Sequence, residues 1–423
     1  MERVVITGMG LITALGADLP ASWRGLVAGR SGIAPITRYD VTDYATKVAA
    51  EAAFIPREDP LPGVPWHWCR RAVRMFHRAA GEAFRDSGLD RASLPPREIG
   101  IAAATTVNWI DVPRLRAAAD YSGPDGRGFD LLRYMQAEQH PVHGYYKRMG
   151  DMMAAVPARA LGLGGPVFVM DTACAASAHS IGEAFRMVKR GKVRAMVAGG
   201  AASLVNPIGI LAFALIGALS RSEDPESASR PFDKGRDGFV MGEAAGAIVL
   251  ESLSSARARG ARIYAEVAGF GSTLNAASLT DPSPDGSSEA RAMALALEEA
   301  GLRAEEIDYV AAHGTSTTKN DLVETLALKR LFGDRAKRLP VSSNKGQIGH
   351  TISAAGVCNV ISAAKAMTEG VVPPTMNLRN PDPACDLDYV ANESRRVEVR
   401  AALSNAFAFG GQNAVLALKA CSN

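Results

Sequence analysis

Three places in the sequence put reactive side chains where a buried strand run gives way to a turn. Asp171-Thr172-Ala173-Cys174-Ala175-Ala176-Ser177 sets a thiol between the apolar run Val167 to Met170 and a long small-residue helix. Free amides at a helix N-terminus create a positive potential that lowers a thiol pKa and favours the thiolate. Ala312-His313-Gly314-Thr315-Ser316-Thr317 follows a second strand run, and Asn344-Lys345-Gly346-Gln347-Ile348-Gly349-His350 follows a third. Parallel sheets build their sites at such strand ends. A lone cysteine is more often a small buried hydrophobe, and a lone histidine more often a structural residue. A thiol, two imidazoles and an amine delivered by three strand ends are harder to dismiss.

Together these groups suit one kind of chemistry. A thiolate takes an acyl group by thioester exchange, which frees the site for a second substrate. Loss of carbon dioxide from a malonyl thioester leaves an enolate, whose oxygen needs donors such as the imidazoles of His313 and His350. Lys345 would hold charge and geometry, paired with Glu324, although a Lys-Glu couple is more commonly a surface pair. Near the C-terminus, Asn405-Ala406-Phe407-Ala408-Phe409-Gly410-Gly411-Gln412-Asn413 carries adjacent glycines that open backbone conformations closed to other residues. The amide of Phe409 could then complete an oxyanion hole with that of Cys174, the alternative being an ordinary turn between two strands.

The elements that must position these groups alternate strand and helix. Strands are predicted at Val4 to Thr7, Ile99 to Ala104, Val167 to Met170, Ala195 to Ala198, Ala247 to Glu251 and Tyr309 to Ala312, and helices at Arg71 to Ser87, Ala175 to Arg190, Ser288 to Ala300 and Leu322 to Phe332. The alternation predicts an α/β protein with parallel sheets covered on both faces. Two segments look like one design used twice: Val167 to Met170 leading through Cys174 into a helix, and Val341-Ser342-Ser343 leading through Asn344-Lys345-Gly346 into a helix near Ser353. This duplication divides the chain into residues 1–255, carrying the cysteine, and 256–423, carrying both histidines.

Bulk properties narrow the class. A chain of 423 residues with 47% apolar and 22% charged residues has ample core material. Its net charge of +3 is too small to predict nucleic acid binding. Five cysteines without CxxC spacing argue against a disulfide framework or zinc site and point to a reducing cytoplasm. The apolar stretch Ile208 to Leu219 falls short of the roughly 20 residues that span a bilayer, so no membrane partner is expected. The start reads as a buried strand running into a tight turn at Gly8-Met9-Gly10, and no signal peptide is expected. A dinucleotide fingerprint there fails because Thr13 stands where its third glycine belongs.

Against these motifs the chain resembles the elongating β-ketoacyl-acyl carrier protein synthases, the ketosynthases of fatty acid and type II polyketide assembly. The resemblance runs over nearly the whole length. Its specific pieces are Thr172-Ala173-Cys174-Ala175, Arg230-Pro231-Phe232-Asp233 with Arg236-Asp237-Gly238-Phe239, His313-Gly314-Thr315-Ser316-Thr317, and Asn344-Lys345-Gly346 ending in Gly349-His350. The resemblance implies a thiolase-like fold of duplicated α/β halves in five αβαβα layers. It implies Cys174 as the acylated nucleophile, His313 and His350 as the decarboxylating pair, and Lys345 with Glu324 as their charged support. Thr315 and Thr317 would contact a phosphopantetheine arm, and Phe407 and Phe409 the acyl substrate, with Phe409 as a gate. Thiolases use a second cysteine and initiating synthases Cys-His-Asn, so the Cys-His-His set points to elongation.

The resemblance further implies no bound cofactor beyond that arm as substrate carrier, an acyl carrier protein partner, and a homodimer or a heterodimer with a chain-length-factor subunit. The carrier is acidic in the family, and Arg71, Arg74 and Arg78, preceded by Arg70, could offer it a basic helix face, or simply be solvated. Departures concern the substrate. Ala102 to Trp109 lacks a glycine-rich turn usual in housekeeping enzymes, Tyr121 to Arg148 is unusual, and Ala408 and Gln412 replace a glycine and a threonine beside Phe409. These favour a specialised polyketide or polyene role over housekeeping fatty acid elongation. Retention of Cys174 disfavours a noncatalytic chain-length-factor-like subunit.

Overall fold

The computed structural model describes residues 1–52, 69–90, 93–106 and 149–421, with isolated positions between 121 and 133. The segment Tyr121 to Arg148, apart from those positions, and residues 107–109 lie outside the described residues. Ten strands form one sheet: β1 (Val4–Ile12), β2 (Ile99–Ala104), β3 (Val167–Met170), β4 (Ala195–Ala202), β5 (Ala244–Ser252), β6 (Ala265–Leu274), β7 (Tyr309–Ala311), β8 (Val341–Ser342), β9 (Ala401–Phe407) and β10 (Gln412–Lys419). Their order is β3-β2-β4-β5-β1 followed by β6-β10-β9-β7-β8. Each half therefore uses its five strands in the same order, and the first strand of each meets the other, antiparallel, at the centre, with Val4 opposite Val267.

The sheets are mixed, which corrects the expectation of parallel ones. In both halves the second strand runs parallel to the third and the fourth, while the fifth is antiparallel to the fourth and to the first. Seven helices position the site: α1 (Arg71–Ser87), α2 (Met152–Leu161), α3 (Ala176–Lys189), α4 (Pro207–Leu215), α5 (Ser287–Ala300), α6 (Thr318–Phe332) and α7 (Ala355–Glu369). Helices α1 and α2 cover the outer face of the first half, and α5 and α6 that of the second, while α3 and α7 touch strands of both halves. This is the five-layered thiolase-like arrangement. Being covered on both sides, α7 has 11 of its 15 residues buried, and small or aliphatic residues dominate it. Ile181, Phe185, Val357 and Ile361 share one core with Ile6, Met9 and Phe270.

Glycine pairs set how closely the outer helices lie. Gly8-Met9-Gly10 is strand interior rather than a turn, because β1 continues to Ile12. A Cβ at Gly8 would sit 2.1 Å from the Ala83 carbonyl, and one at Gly10 2.2 Å from that of Ala79. The second half repeats the device: a Cβ at Gly269 of β6 would sit 2.1 Å from the Ala296 carbonyl, and one at Gly271 1.9 Å from that of Ala292. Between the glycines, a helix carboxylate takes the strand amide in each case, Asp86 from Met9 at 2.9 Å and Glu299 from Phe270 at 3.1 Å. Among the described residues, no helix is long and apolar enough to cross a membrane.

Gly10→Ala and Gly271→Ala should each destabilise the protein by about 1–3 kcal/mol, the usual cost of overpacking. Urea unfolding midpoints would show it; an unchanged midpoint in either variant would mean that the helix is not held at contact distance.

Candidate active site

Cys174 lies in a single 3-10 turn, Ala173–Ala175, between β3 and α3. The residue before it, Ala173, has φ +46°, a conformation an alanine rarely adopts. The turn is braced by a residue that sequence reasoning passed over. His179 reaches back with Nδ1 to the Thr172 hydroxyl at 2.9 Å and across with Nε2 to Ser272 of β6 at 3.0 Å, so it ties the cysteine turn to the other half. The duplication has a counterpart turn at Ile352–Ala354, where Ile352 has φ +41° and α7 follows. Ser353 therefore occupies the position equivalent to Cys174. The sequence match to Asn344-Lys345-Gly346 missed this because nine residues separate β8 from its turn, where only two separate β3 from Ala173.

The Cys174 sulfur is buried and faces two amide donors, its own and that of Phe409. His350 Nε2 stands 3.1 Å from it. His313 completes the group, its ring edge-on to that of His350 with centroids 5.3 Å apart. The sulfur and one nitrogen of each imidazole all lie within 4.8 Å of one another. That spacing could also take a metal ion, although the charge of Lys345, which faces both rings, opposes a cation there.

Two carboxylates on the first two turns of α6 hold the His313 loop. Glu324 accepts the amides of His313 at 2.9 Å and Gly314 at 2.7 Å, and Asp321 those of Thr315 at 2.9 Å and Ser316 at 3.1 Å. Asn405 donates to Glu324 at 3.0 Å. Lys345 and Glu324 do not pair directly. The Lys345 ammonium donates to the His313 carbonyl while Glu324 takes the His313 amide, so the two charges grip opposite sides of one residue. Asp321 and Asn405 escaped sequence reasoning; Asp321, three residues before Glu324 on a helix that follows the histidine loop, was its available signal.

Burial decides the protonation states. It lowers Lys345 to about 8, with Glu324 pulling the other way, and it raises the Glu324 carboxyl. Burial, followed by the Lys345 charge, holds both imidazoles well below the ordinary histidine range, so they are neutral at pH 7. Burial also pushes the Cys174 thiol up to about 11 against the pull of Lys345 and the two amides. This corrects the expectation of a thiolate lowered by its helix terminus: in the closed site desolvation outweighs the favourable dipoles.

Cys174, His313 and His350 line a cavity of about 390 Å³ with Thr315, Thr317 and Phe409 on its walls. The two threonine hydroxyls are 2.9 Å apart. Phe407 packs behind His313 with centroids 5.9 Å apart, and also borders the cavity. After Phe409, Gly410 and Gly411 take φ +83° and +75°, and a Cβ at Gly411 would meet the Asn275 carbonyl at 1.9 Å, so the turn requires glycine. Ala408 donates to the Gln412 carbonyl at 2.9 Å, which closes that turn through backbone alone. Of the basic helix face, Arg71 turns inward onto the buried Glu243 carboxylate at 2.7 Å and Arg74 donates to the Cys69 carbonyl.

The family description "Beta-ketoacyl synthase, N-terminal domain" matches residues 1–256, and "Beta-ketoacyl synthase, C-terminal domain" residues 264–379. The 3-oxoacyl-[acyl-carrier-protein] synthase 2 of Synechocystis sp. is 40% identical over 99% of this chain and 98% of its own length. The ishigamide ketosynthase/chain length factor structure is 35% identical with a TM-score of 0.87 and full coverage of both chains. AntDE:AntF, a type II polyketide synthase acyl-carrier protein in complex with its ketosynthase bound to the hexaketide, is 28% identical with a TM-score of 0.86 over 99% of this chain and 100% of that one. With both halves matched, and a relative 40% identical along nearly its whole length, this chain is a member of the β-ketoacyl synthase family, a condensing acyltransferase with the thiolase-like fold.

Proposed function

We propose that this chain condenses an acyl group held on Cys174 with a malonyl thioester borne by an acyl carrier protein, releasing carbon dioxide and lengthening a fatty or polyketide chain by two carbons. One observation carries this reading: a single sulfur shares one cavity with two neutral imidazoles and sits against two amide donors. In the first step the thiol attacks the incoming thioester carbonyl and passes its proton to His350 Nε2. The amides of Cys174 and Phe409 hold the oxyanion until the carrier thiol leaves with that proton. In the second step a malonyl thioester enters past Thr315 and Thr317. Its carboxylate departs as carbon dioxide while His313 and His350 donate to the enolate oxygen. The enolate carbon then attacks the acyl-cysteine carbonyl, the carbon-sulfur bond breaks, and Cys174 is regenerated.

The imidazoles suit both roles. Neither Nδ1 has a hydrogen-bond partner among the described residues, so none of these fixes the tautomer, and each Nε2 can accept or donate. Lys345 and Glu324 position His313 and touch no substrate in this mechanism. Phosphopantetheine enters only as the carrier's arm. We divide the chain at residue 255, which is supported by the repeated strand order of the two halves. A dimer is supported by β3, an edge strand whose Val167 is 50% exposed. The partner is a second copy or a chain-length-factor subunit, the latter being the companion named with the ketosynthase in the ishigamide structure. Four buried free cysteines and a fifth partly buried one support a reducing cytoplasm.

Cys174→Ala should abolish the acyl adduct seen by intact-protein mass spectrometry while leaving the melting temperature unchanged; an adduct elsewhere at wild-type yield rejects the assignment. His313→Ala and His350→Ala should each slow release of carbon dioxide from malonyl-carrier by about 10²-fold or more, the usual loss for one oxyanion donor. Carbon dioxide at the wild-type rate from either variant removes that histidine from the decarboxylation. Lys345→Met takes away the charge that lowers both imidazoles, so their pKa values rise and the acid limb of the kcat/KM profile should move to higher pH. An acid limb at the wild-type position would show that Lys345 does not tune them.

A further inference from the structure

The turn that carries Cys174 is strained, and it is held by a side chain from outside the turn. Ala173 takes φ +46°, and its counterpart in the second half, Ile352, takes φ +41°. A residue other than glycine stays in that region only where its surroundings over-determine it. The two turns are secured differently. Ser353, at the place equivalent to Cys174, donates its own hydroxyl to the Ala201 carbonyl at 2.9 Å and so ties down its turn. The Cys174 side chain is used otherwise, since its sulfur faces the cavity and His350 at 3.1 Å.

For the cysteine turn the tie comes from five residues further on. His179 Nδ1 stands 2.9 Å from the Thr172 hydroxyl, and the same imidazole donates to the Ala175 carbonyl. One ring therefore grips the residue before Ala173 and the residue after Cys174. Its other nitrogen stands 3.0 Å from the Ser272 hydroxyl, and the ring meets Phe270 edge-on with centroids 5.9 Å apart. Both contacts lie on β6, at the centre of the ten-stranded sheet. In the second half the same spacing pairs Thr351 with Cys358, a sulfur 3.9 Å from the threonine hydroxyl. A thiol is a weak partner where an imidazole is a strong one, so the firm grip belongs to the copy of the turn that carries the proposed nucleophile.

We infer that His179 is a positioning residue for the oxyanion hole: by holding Thr172 and Ala175 it fixes the Cys174 amide beside that of Phe409, and so serves acyl transfer and condensation but not decarboxylation. The inference rests on the condensation proposed above. Attack of the thiol on the incoming thioester, and attack of the enolate on the acyl-cysteine, both put an oxyanion between these two amides. Loss of carbon dioxide puts its charge at His313 and His350 instead, on loops of the other half with supports of their own. Release of Thr172 lets Ala173 relax to negative φ, which turns the Cys174 amide away from the oxyanion without moving either of those imidazoles.

The test measures two rates in wild type and variants: acyl transfer from acyl-carrier to Cys174 by rapid-quench mass spectrometry, and carbon dioxide release from malonyl-carrier with no acyl donor present. His179→Ala should slow acyl transfer at saturating donor by about 10-fold or more, short of the roughly 10²–10³-fold that follows outright loss of an oxyanion donor. Its carbon dioxide release should stay within about 2-fold of wild type, which is the mark of an interaction used in one step only. His179→Asn, which keeps a polar group at the Nδ1 position, should recover most of the acyl transfer. Thr172→Val/His179→Ala should be no slower than His179→Ala alone, because the two side chains act as one unit. Should His179→Ala not fold, Thr172→Val by itself should show the same selective loss. The inference is overturned by wild-type acyl transfer in His179→Ala or, in its place, Thr172→Val, or by equal losses in both rates, which would make the imidazole a support of the fold as a whole. It is equally overturned by no recovery in the asparagine variant or by a further loss in the double variant. Absence of both the acyl adduct and carbon dioxide release in wild type would instead reject the condensation itself.

Discussion

Two carboxylates one helical turn apart receive four consecutive backbone amides, and the rest of the site depends on this. Asp321 and Glu324 bind the amides of His313 to Ser316 in pairs. Hydrogen bonds to ionised acceptors are roughly twice as strong as neutral ones, so the loop carrying the first histidine is held rigidly without any contact to its ring. Each carboxylate is buried, and such a charge is tolerable only when its lone pairs are used. Arg236 answers Asp321 from 3.8 Å and also donates to the carbonyls of Thr317 and Thr318, so the entry into α6 is fixed from both sides. Lys345 answers Glu324 through the His313 carbonyl.

That clamp explains how reactive groups can share a closed cavity. Closing the site removes water, which raises the thiol and keeps the imidazoles neutral. The protein accepts a sulfur that is harder to ionise and compensates with placed donors and an acceptor 3.1 Å away. Neutral imidazoles are what enolate stabilisation requires, since each can donate at one nitrogen without carrying a charge that would trap the malonyl carboxylate. Burial sets this state; one buried ammonium, tied to a carbonyl and balanced by a carboxylate, adds to it at both imidazoles and opposes it at the thiol.

The duplicated architecture brings the parts together. Cys174 stands at the start of α3 in one half, and His313 and His350 stand on loops of the other; α3 and α7 lie side by side and touch strands of both halves. His179 links the cysteine turn to β6 across that boundary. Matching glycine pairs in β1 and β6 allow α1 and α5 to pack at backbone contact in both halves. Ser353, at the place equivalent to Cys174, donates to the Ala201 carbonyl at 2.9 Å and helps to seat the cysteine half. One copy of the turn carries the proposed nucleophile and the other braces it.

The residue sequence by itself determined the candidate reactive set, the alternation of strand and helix, and the family, because these depend on side-chain type, local periodicity and motif spacing. Cys174, His313, His350, Lys345 and Glu324 were all legible that way, and so was the extent of α1. Only the tertiary structure decided what those groups do to one another. Strand direction, the inward turn of Arg71 onto Glu243, the indirect relation of Lys345 to Glu324, and the brace from His179 join residues far apart in sequence, where no local pattern constrains the partner. The protonation states were decided there as well. A helix terminus can be read from neighbouring residues, but desolvation depends on everything packed around a group, and at Cys174 desolvation prevails.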